Sequence, residues 1–350
     1  MSLKKLFRQE VLDLPPYHLD EHPGVKLNQN ESPWDLPVGL KAKVIENLLK
    51  APWNRYPLGD LLLLKKKMAK FLNVWPDNLV FANGSNVLVQ ALTIASSVGK
   101  KIMVTDPTFA VYEIEGKLLG NKIIRVPLED DFSLPADKFL NVLRKERPGI
   151  VFIANPNAPT GNLFDPKALR RIIEASPGLV VIDEAYYPFS EFTVMDWIKE
   201  YDHLVVMRTF SKAFALGGIR LGYIVAEPEV ATQVQKCLLP FCIGRPALIT
   251  ALTVLDHAGY VEENAQRIRA ERERLFAALE KIKNIKAYPS RANFILFEVE
   301  KAEEIFKKLL EGGVIVRQVG DGRRLTQTLR VTVGAPEENT AFLKALSEVV

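Results

Sequence analysis

The chain has 350 residues, 48% of them hydrophobic and 25% charged, a soluble globular balance at a length that suits one large domain and one smaller one. A net charge of +4, from 46 Lys and Arg against 42 Asp and Glu, is spread without long runs of one sign, which argues against a nucleic-acid partner. No apolar stretch reaches bilayer length, and the start MSLKKLFRQEVLDL lacks the apolar core of a secretion signal, so a cytoplasmic protein without membrane contact is expected.

Residues 1–30 are Pro-rich and aperiodic and read as an arm. Within it His18 and His22 have i,i+4 spacing, but Pro15, Pro16 and Pro23 crowd them, and no metal site is expected. A large domain is expected over 31–240. From about residue 80 its short β-rich runs Leu79–Ala82, Ile102–Asp106, Ile150–Asn155, Leu179–Asp183, Leu204–Thr209 and Tyr223–Ala226 alternate with helical stretches. Several of the runs are apolar on both faces and end in polar residues, as buried parallel strands do. The helical stretches include Asn86–Ser97, Val111–Leu119 and Pro166–Ala175, with Gly120 and Gly178 as stops after two of them. This alternation predicts an open α/β sheet, mostly parallel and flanked by helices, whose ligand site lies beyond the carboxyl ends of its strands. After about 240 the pattern changes to a long charged helix, Val261–Lys283, the runs Phe294–Val299 and Leu329–Val333, and a last helix from Pro336. A smaller α+β domain is expected over 241–350. The only cysteines, Cys237 and Cys242, have no histidine near them and read as reduced thiols.

The chemistry sits at the strand ends. Leu179–Asp183 delivers Asp183, and Leu204–Thr209 is followed by Ser211 and Lys212. A lysine can form an imine with a pyridine aldehyde while an acid holds a proton on the ring nitrogen, so that the ring accepts electrons. Hydroxyls of Thr209 and Ser211 with the guanidinium of Arg220 suit a phosphate beside that lysine. The turn Asn83-Gly84-Ser85-Asn86 could aim free helix-start amides at an anion, or could be an ordinary cap at Ser85 or Asn86. Phe109, three residues past Asp106, could stack on a flat heterocycle or serve the core.

The segments Asn155-Pro156-Asn157-Ala158-Pro159-Thr160-Gly161, Asp183-Glu184-Ala185-Tyr186 and Ser211-Lys212-Ala213-Phe214 resemble the fold type I, class II aminotransferases. From about Tyr17 onward the chain is similar to the histidinol-phosphate aminotransferase family. Further matches are Leu27-Asn28-Gln29-Asn30-Glu31, Asn54-Arg55-Tyr56-Pro57, Ile219-Arg220-Leu221-Gly222, Ala292-Asn293-Phe294 and Leu329-Arg330-Val331-Thr332. The resemblance implies pyridoxal 5′-phosphate on Lys212, which also moves the proton, with Asp183 on the pyridine nitrogen and Tyr186 on the 3′-oxygen. It implies Ser85, Asn86, Ser211 and Arg220 at the cofactor phosphate and Phe109 on the ring. Tyr56 would reach the cofactor phosphate of a neighbouring subunit, so a homodimer with shared sites is expected. Tyr17, Arg317 and Arg330 match positions that bind the substrate phosphate, Arg330 also taking the carboxylate of glutamate. The implied reaction is transamination between L-histidinol phosphate and 2-oxoglutarate in histidine biosynthesis.

Three departures bear on this. Ala158 stands where the family has an asparagine that donates to the 3′-oxygen, leaving Tyr186 alone or with Asn157. Asn86-Val87 replaces an acidic pair, and Pro240-Phe241-Cys242-Ile243-Gly244-Arg245 leaves the usual Pro-Tyr-Asn pattern without explaining Arg245. The cofactor set alone also suits a decarboxylase of a phosphorylated amino acid, an aromatic amino-acid aminotransferase, or a cofactor-binding regulator.

Overall fold

The computed structural model describes residues 3–16, 22–320 and 325–350. In chain order its strands are β1 Val25–Lys26, β2 Leu79–Ala82, β3 Lys101–Asp106, β4 Lys122–Pro127, β5 Ile150–Ala154, β6 Leu179–Asp183 and β7 Leu204–Thr209. They continue with β8 Gly222–Ala226, β9 Ile285–Ala287, β10 Phe294–Val299, β11 Val314–Ile315, β12 Arg317–Gln318 and β13 Thr328–Thr332. Seven of them form one sheet in the order β2-β8-β7-β6-β5-β3-β4.

Every residue of β5 is buried, and its side chains divide by the strand period. Ile150, Phe152 and Ala154 join one apolar layer with Leu88, Leu92 and Val181, while Val151 and Ile153 join the other with Phe139, Leu169 and Val206. The second layer runs on into the C-terminal part, to Leu296, Leu329 and Phe342. Each fully buried aliphatic contributes about 1.5–3 kcal/mol. Two-sided burial is why the strands read as continuous apolar runs rather than alternating ones.

One expectation is corrected. Tyr223–Ala226 was expected as a parallel strand, but β8 runs antiparallel to both β7 and β2. Only a loop and a short 3-10 turn, Gly217–Ile219, connect β7 to β8. With no helix to carry the chain back, it re-enters the sheet at the end it left, which forces the antiparallel sense. The strands β3 to β7 are mutually parallel.

Beyond the main sheet, β12-β13-β10-β9 form a small antiparallel sheet, and β1 pairs in parallel with β11. The segment expected as an aperiodic arm thus enters a strand at its end: Val25 N–H donates to Gly313 O, Leu27 N–H to Ile315 O, and Leu27 O accepts from Thr332 N–H. Helix Arg245–Leu255 packs on helices Val38–Lys50 and Leu58–Leu72, with Asn47 Nδ2 donating to Thr253 Oγ1 at 3.0 Å. No helix among the described residues is long and apolar enough to cross a membrane.

Candidate active site

The carboxyl ends of β3, β5, β6 and β7 open on one edge of the sheet, where parallel strands present loops and helix starts. Asp183 ends β6 and is buried. Its Oδ2 accepts the Tyr112 hydroxyl at 2.7 Å and its Oδ1 accepts the Ala185 N–H at 3.0 Å. Burial raises its carboxyl to about 6 in spite of both bonds. Burial, and next the negative Asp183, hold the Tyr112 hydroxyl well above its ordinary range, so Tyr112 keeps its proton and donates.

Lys212 follows β7. Its Nζ donates to the Gln29 carbonyl at 3.0 Å and lies 5.9 Å from the centre of the Tyr186 ring. Burial, with the Arg330 guanidinium as the next cause, lowers this ammonium to about 8. A neutral amine near physiological pH is what imine formation requires. Tyr186 sits edge-on to Phe294 and its hydroxyl accepts from Asn30 Nδ2 at 3.0 Å. Burial, foremost, raises the Tyr186 hydroxyl pKa.

The expected phosphate residues meet in one cup. Gly84, with φ of 87°, caps helix Ser85–Ser96 without any side-chain capping bond, so the ordinary cap at Ser85 or Asn86 is not formed. A Cβ at Gly84 would lie 2.5 Å from Arg220 Nη2, and one at Gly222 would lie 2.4 Å from the Ser85 nitrogen. Only glycines let the guanidinium and the strand close on that helix start. Arg220 Nη1 donates to Ser211 Oγ at 3.2 Å, and Thr209 Oγ1 donates to Ser211 Oγ at 3.0 Å. Amides at a helix start, two hydroxyls and a fork-shaped cation form an anion-binding arrangement.

Phe109 packs edge-on to Tyr112 at 5.5 Å. Asn157 is buried, and both of its amide hydrogens are engaged, with Pro107 O at 3.1 Å and Thr160 Oγ1 at 2.7 Å. It braces the loop after β5. Ala158 packs with Ala292, Phe294 and Tyr186. Tyr17 and His18 lie outside the described residues.

The two arginines expected to meet the substrate phosphate are paired through β structure. Arg317 on β12 stands directly opposite Arg330 on β13. Residues opposite each other in an antiparallel pair project from the same face, within about 5 Å at Cβ. Arg317 is exposed; Arg330 is half-buried, donates to Asn28 O at 3.0 Å and lies over the Phe294 ring at 5.1 Å. Residues Asn28, Gln29 and Asn30 therefore touch Arg330, Lys212 and Tyr186 in turn.

Tyr112 beside Asp183 and the strap formed by residues 28–30 do not stand out in the sequence. A hydroxyl on the apolar face of helix Val111–Leu118, one turn after Phe109, was the signal for the first. The sequence also left unread the buried pair behind Asp183. There Arg208 Nε and Nη2 donate to Glu184 Oε2 at 3.0 and 2.8 Å, and Glu184 Oε1 accepts the Val194 N–H at 2.6 Å. Their side chains are 4% and 1% exposed, so each charge depends on the other.

The family described as aminotransferase class I and II matches residues 22–346. The chain is 40% identical over 345 residues to histidinol-phosphate aminotransferase 2 of Nitrosococcus oceani, covering 97% of this chain and 96% of that one. It is 37% identical over 329 residues to histidinol-phosphate aminotransferase of Chlorobaculum tepidum, covering 93% and 94%. The crystal structure of histidinol-phosphate aminotransferase from Sinorhizobium meliloti in complex with pyridoxal-5′-phosphate matches with a TM-score of 0.90 at 22% identity, over 99% of this chain and 98% of that one. That likeness gives the fold, the fold type I architecture.

Proposed function

The chain belongs to the class I and II aminotransferases, and within them to the histidinol-phosphate aminotransferases, and from this we propose that it moves the amino group of L-histidinol phosphate to 2-oxoglutarate. The products are imidazole-acetol phosphate and glutamate, in histidine biosynthesis. The residues fit pyridoxal 5′-phosphate: a lysine lowered to about 8, a buried acid, and a cup of helix-start amides beside Arg220 that a Cβ at Gly84 would fill. The cofactor supplies the electron sink for breaking a bond at the substrate's Cα.

Lys212 Nζ would hold the cofactor through its aldehyde carbon and is the base placed to take and return the substrate's Cα proton. Asp183 would hold a proton on the ring nitrogen, a cation placed directly against its buried carboxylate. Tyr112 aims that carboxylate. Tyr186 would donate to the 3′-oxygen, Phe109 would cover the ring, and Ser85, Asn86, Thr209, Ser211 and Arg220 would hold the phosphate. Asn157 acts by keeping the loop beside the ring in place.

The observation that carries the substrate is Arg317 facing Arg330. Two guanidinium forks on one face of the small sheet can approach a single anion together. A phosphate monoester brings close to two negative charges to a pair of forks, and the glutamate carboxylate uses Arg330 in the other half-reaction. Tyr17 joins them on the phosphate. The test compares kcat/KM for histidinol phosphate, histidinol, threonine phosphate and phenylalanine. Strong preference for the first is expected; equal use of histidinol would refute the phosphate pocket.

The active unit is a homodimer in which Tyr56 reaches the other subunit's cofactor phosphate. Tyr56 is 76% exposed in the single chain, among the exposed apolar side chains Trp53, Leu58, Leu62 and Leu63. Such a patch suits a partner surface. The free thiols Cys237 and Cys242 agree with a reducing cytoplasm.

A further inference from the structure

Arg245 is an awkward choice where it stands. It is the first residue of helix Arg245–Leu255, where the helix dipole disfavours a cation. Its side chain is only 13% exposed, so it is not there for solubility. It reaches back across the fold to the segment between helices Val38–Lys50 and Leu58–Leu72. Its Nε donates to Asp60 Oδ2 at 2.8 Å, Nη1 to the Arg55 carbonyl at 3.0 Å, and Nη2 to the Tyr56 carbonyl at 3.5 Å. Asp60, in the first turn of its own helix, has the favourable sign there and supplies the counter-charge.

The same loop takes a second hold. Phe241, four residues earlier, stacks on the Tyr56 ring with centroids 4.4 Å apart and planes 18° from parallel. Phe241 does so from a left-handed backbone, φ of 56°, which is costly for an aromatic residue. Residues 241–245 thus grip one exposed tyrosine at its ring and at its main chain, although the turn 51–57 has no regular structure of its own.

We infer that Arg245 is a positioning residue for Tyr56: with Phe241 it fixes the turn that presents the Tyr56 hydroxyl to the partner subunit's cofactor phosphate. This rests on the reading of Tyr56 as a cross-subunit phosphate contact. The physical gain is preorganisation. A lone exposed loop would have to be ordered each time cofactor binds, and that cost would reduce affinity. A lysine could pair with Asp60, but only a planar fork reaches the two consecutive carbonyls as well.

The test is a double-mutant cycle on cofactor affinity, read by spectral titration of cofactor-free protein with pyridoxal phosphate. Each variant is measured where light scattering gives the two-chain mass. Tyr56→Phe keeps the stack on Phe241 and removes only the hydroxyl; it should weaken binding about tenfold, the loss of one anion contact. Arg245→Met should weaken binding severalfold, and the double variant no further than Tyr56→Phe alone, because the loop then has no hydroxyl to present. Arg245→Lys, which retains the Asp60 pair, should fall between, and it replaces the Met variant should that one not dimerise. Independent, multiplying losses, or parent affinity in both Arg245 variants while Tyr56→Phe binds weakly, would overturn the inference alone. Parent affinity in Tyr56→Phe would overturn the cross-subunit reading and the inference with it.

Discussion

Tyr112 donates to Asp183 Oδ2 at 2.7 Å from the first turn of helix Val111–Leu118, and it is one of two hydrogen bonds that oppose the rise of that carboxyl. A pH dependence follows. Folded Asp183 holds its proton up to about 6, whereas the unfolded value is 3.8. Between these values the folded chain binds more protons, so the group's contribution is complete below the unfolded value and is lost as pH rises through the window. The loss is roughly 3 kcal/mol for cofactor-free protein. Urea unfolding at pH 4 and pH 7 should show Asp183→Asn losing this part of the slope. Tyr112→Phe should extend the window above pH 6. A parent-like slope in Asp183→Asn refutes the assignment.

Lys212, lowered to about 8, is about half neutral at pH 8, against roughly 0.3% for a solvent-exposed lysine. The rate of pyridoxal phosphate capture by cofactor-free protein should rise with pH and level off above about 8. Borohydride reduction and peptide mapping should put the pyridoxyl group on Lys212. Label on another lysine, or a rate still climbing steeply at pH 10, counts against it.

Replacing Arg317 with Ala should cost roughly 1–3 kcal/mol in kcat/KM for histidinol phosphate and little for glutamate, because one anion contact is lost. Arg330→Ala should impair both half-reactions. Equal effects of Arg317→Ala on the two substrates would exclude a phosphate-specific role.

The Glu184–Arg208 pair predicts a stability effect rather than a chemical one. Glu184→Ala leaves a buried guanidinium without its carboxylate and should destabilise the protein by about 3–5 kcal/mol. Glu184→Leu combined with Arg208→Met should be less harmful than either alone, since no buried charge remains. Equilibrium unfolding measures both, and additive losses would show that the two charges do not depend on each other.

A mixture of inactive Lys212→Ala protein with Tyr56→Ala protein, assayed at a cofactor level too low to load Tyr56→Ala alone, should regain activity through one composite site per mixed dimer. No recovery after subunit exchange, verified by mass, would argue for self-contained sites.

Much of the large sheet was legible because two-sided burial writes continuous apolar runs, and Leu179–Asp183 and Leu204–Thr209 were read to the residue. Strand direction was not legible: β8 has the same composition in either sense, and only the short return from β7 fixes it. The edge strand β4 was missed because Lys122 and Arg125 interrupt its apolar pattern. Within the site, residue types at strand ends pointed to Lys212, Asp183 and the phosphate cup. The opposition of Arg317 and Arg330, the Tyr112 contact and the reach of Arg245 are matters of register and distant contact. No local pattern encodes these.

Segment 28–30 sets an order of events. Its carbonyls at Asn28 and Gln29 hold Arg330 and Lys212, and the Asn30 N–H donates to Thr332 Oγ1 across 302 positions of sequence. During synthesis, the chain through Thr332 must leave the ribosome before that strap can close. Lys212 and Asp183 can occupy their strand ends earlier, yet the pocket around them is unfinished until the last strand arrives. A nascent chain that ends before Thr328 would carry Lys212 without the Arg330 and Thr332 contacts that anchor the segment beside it.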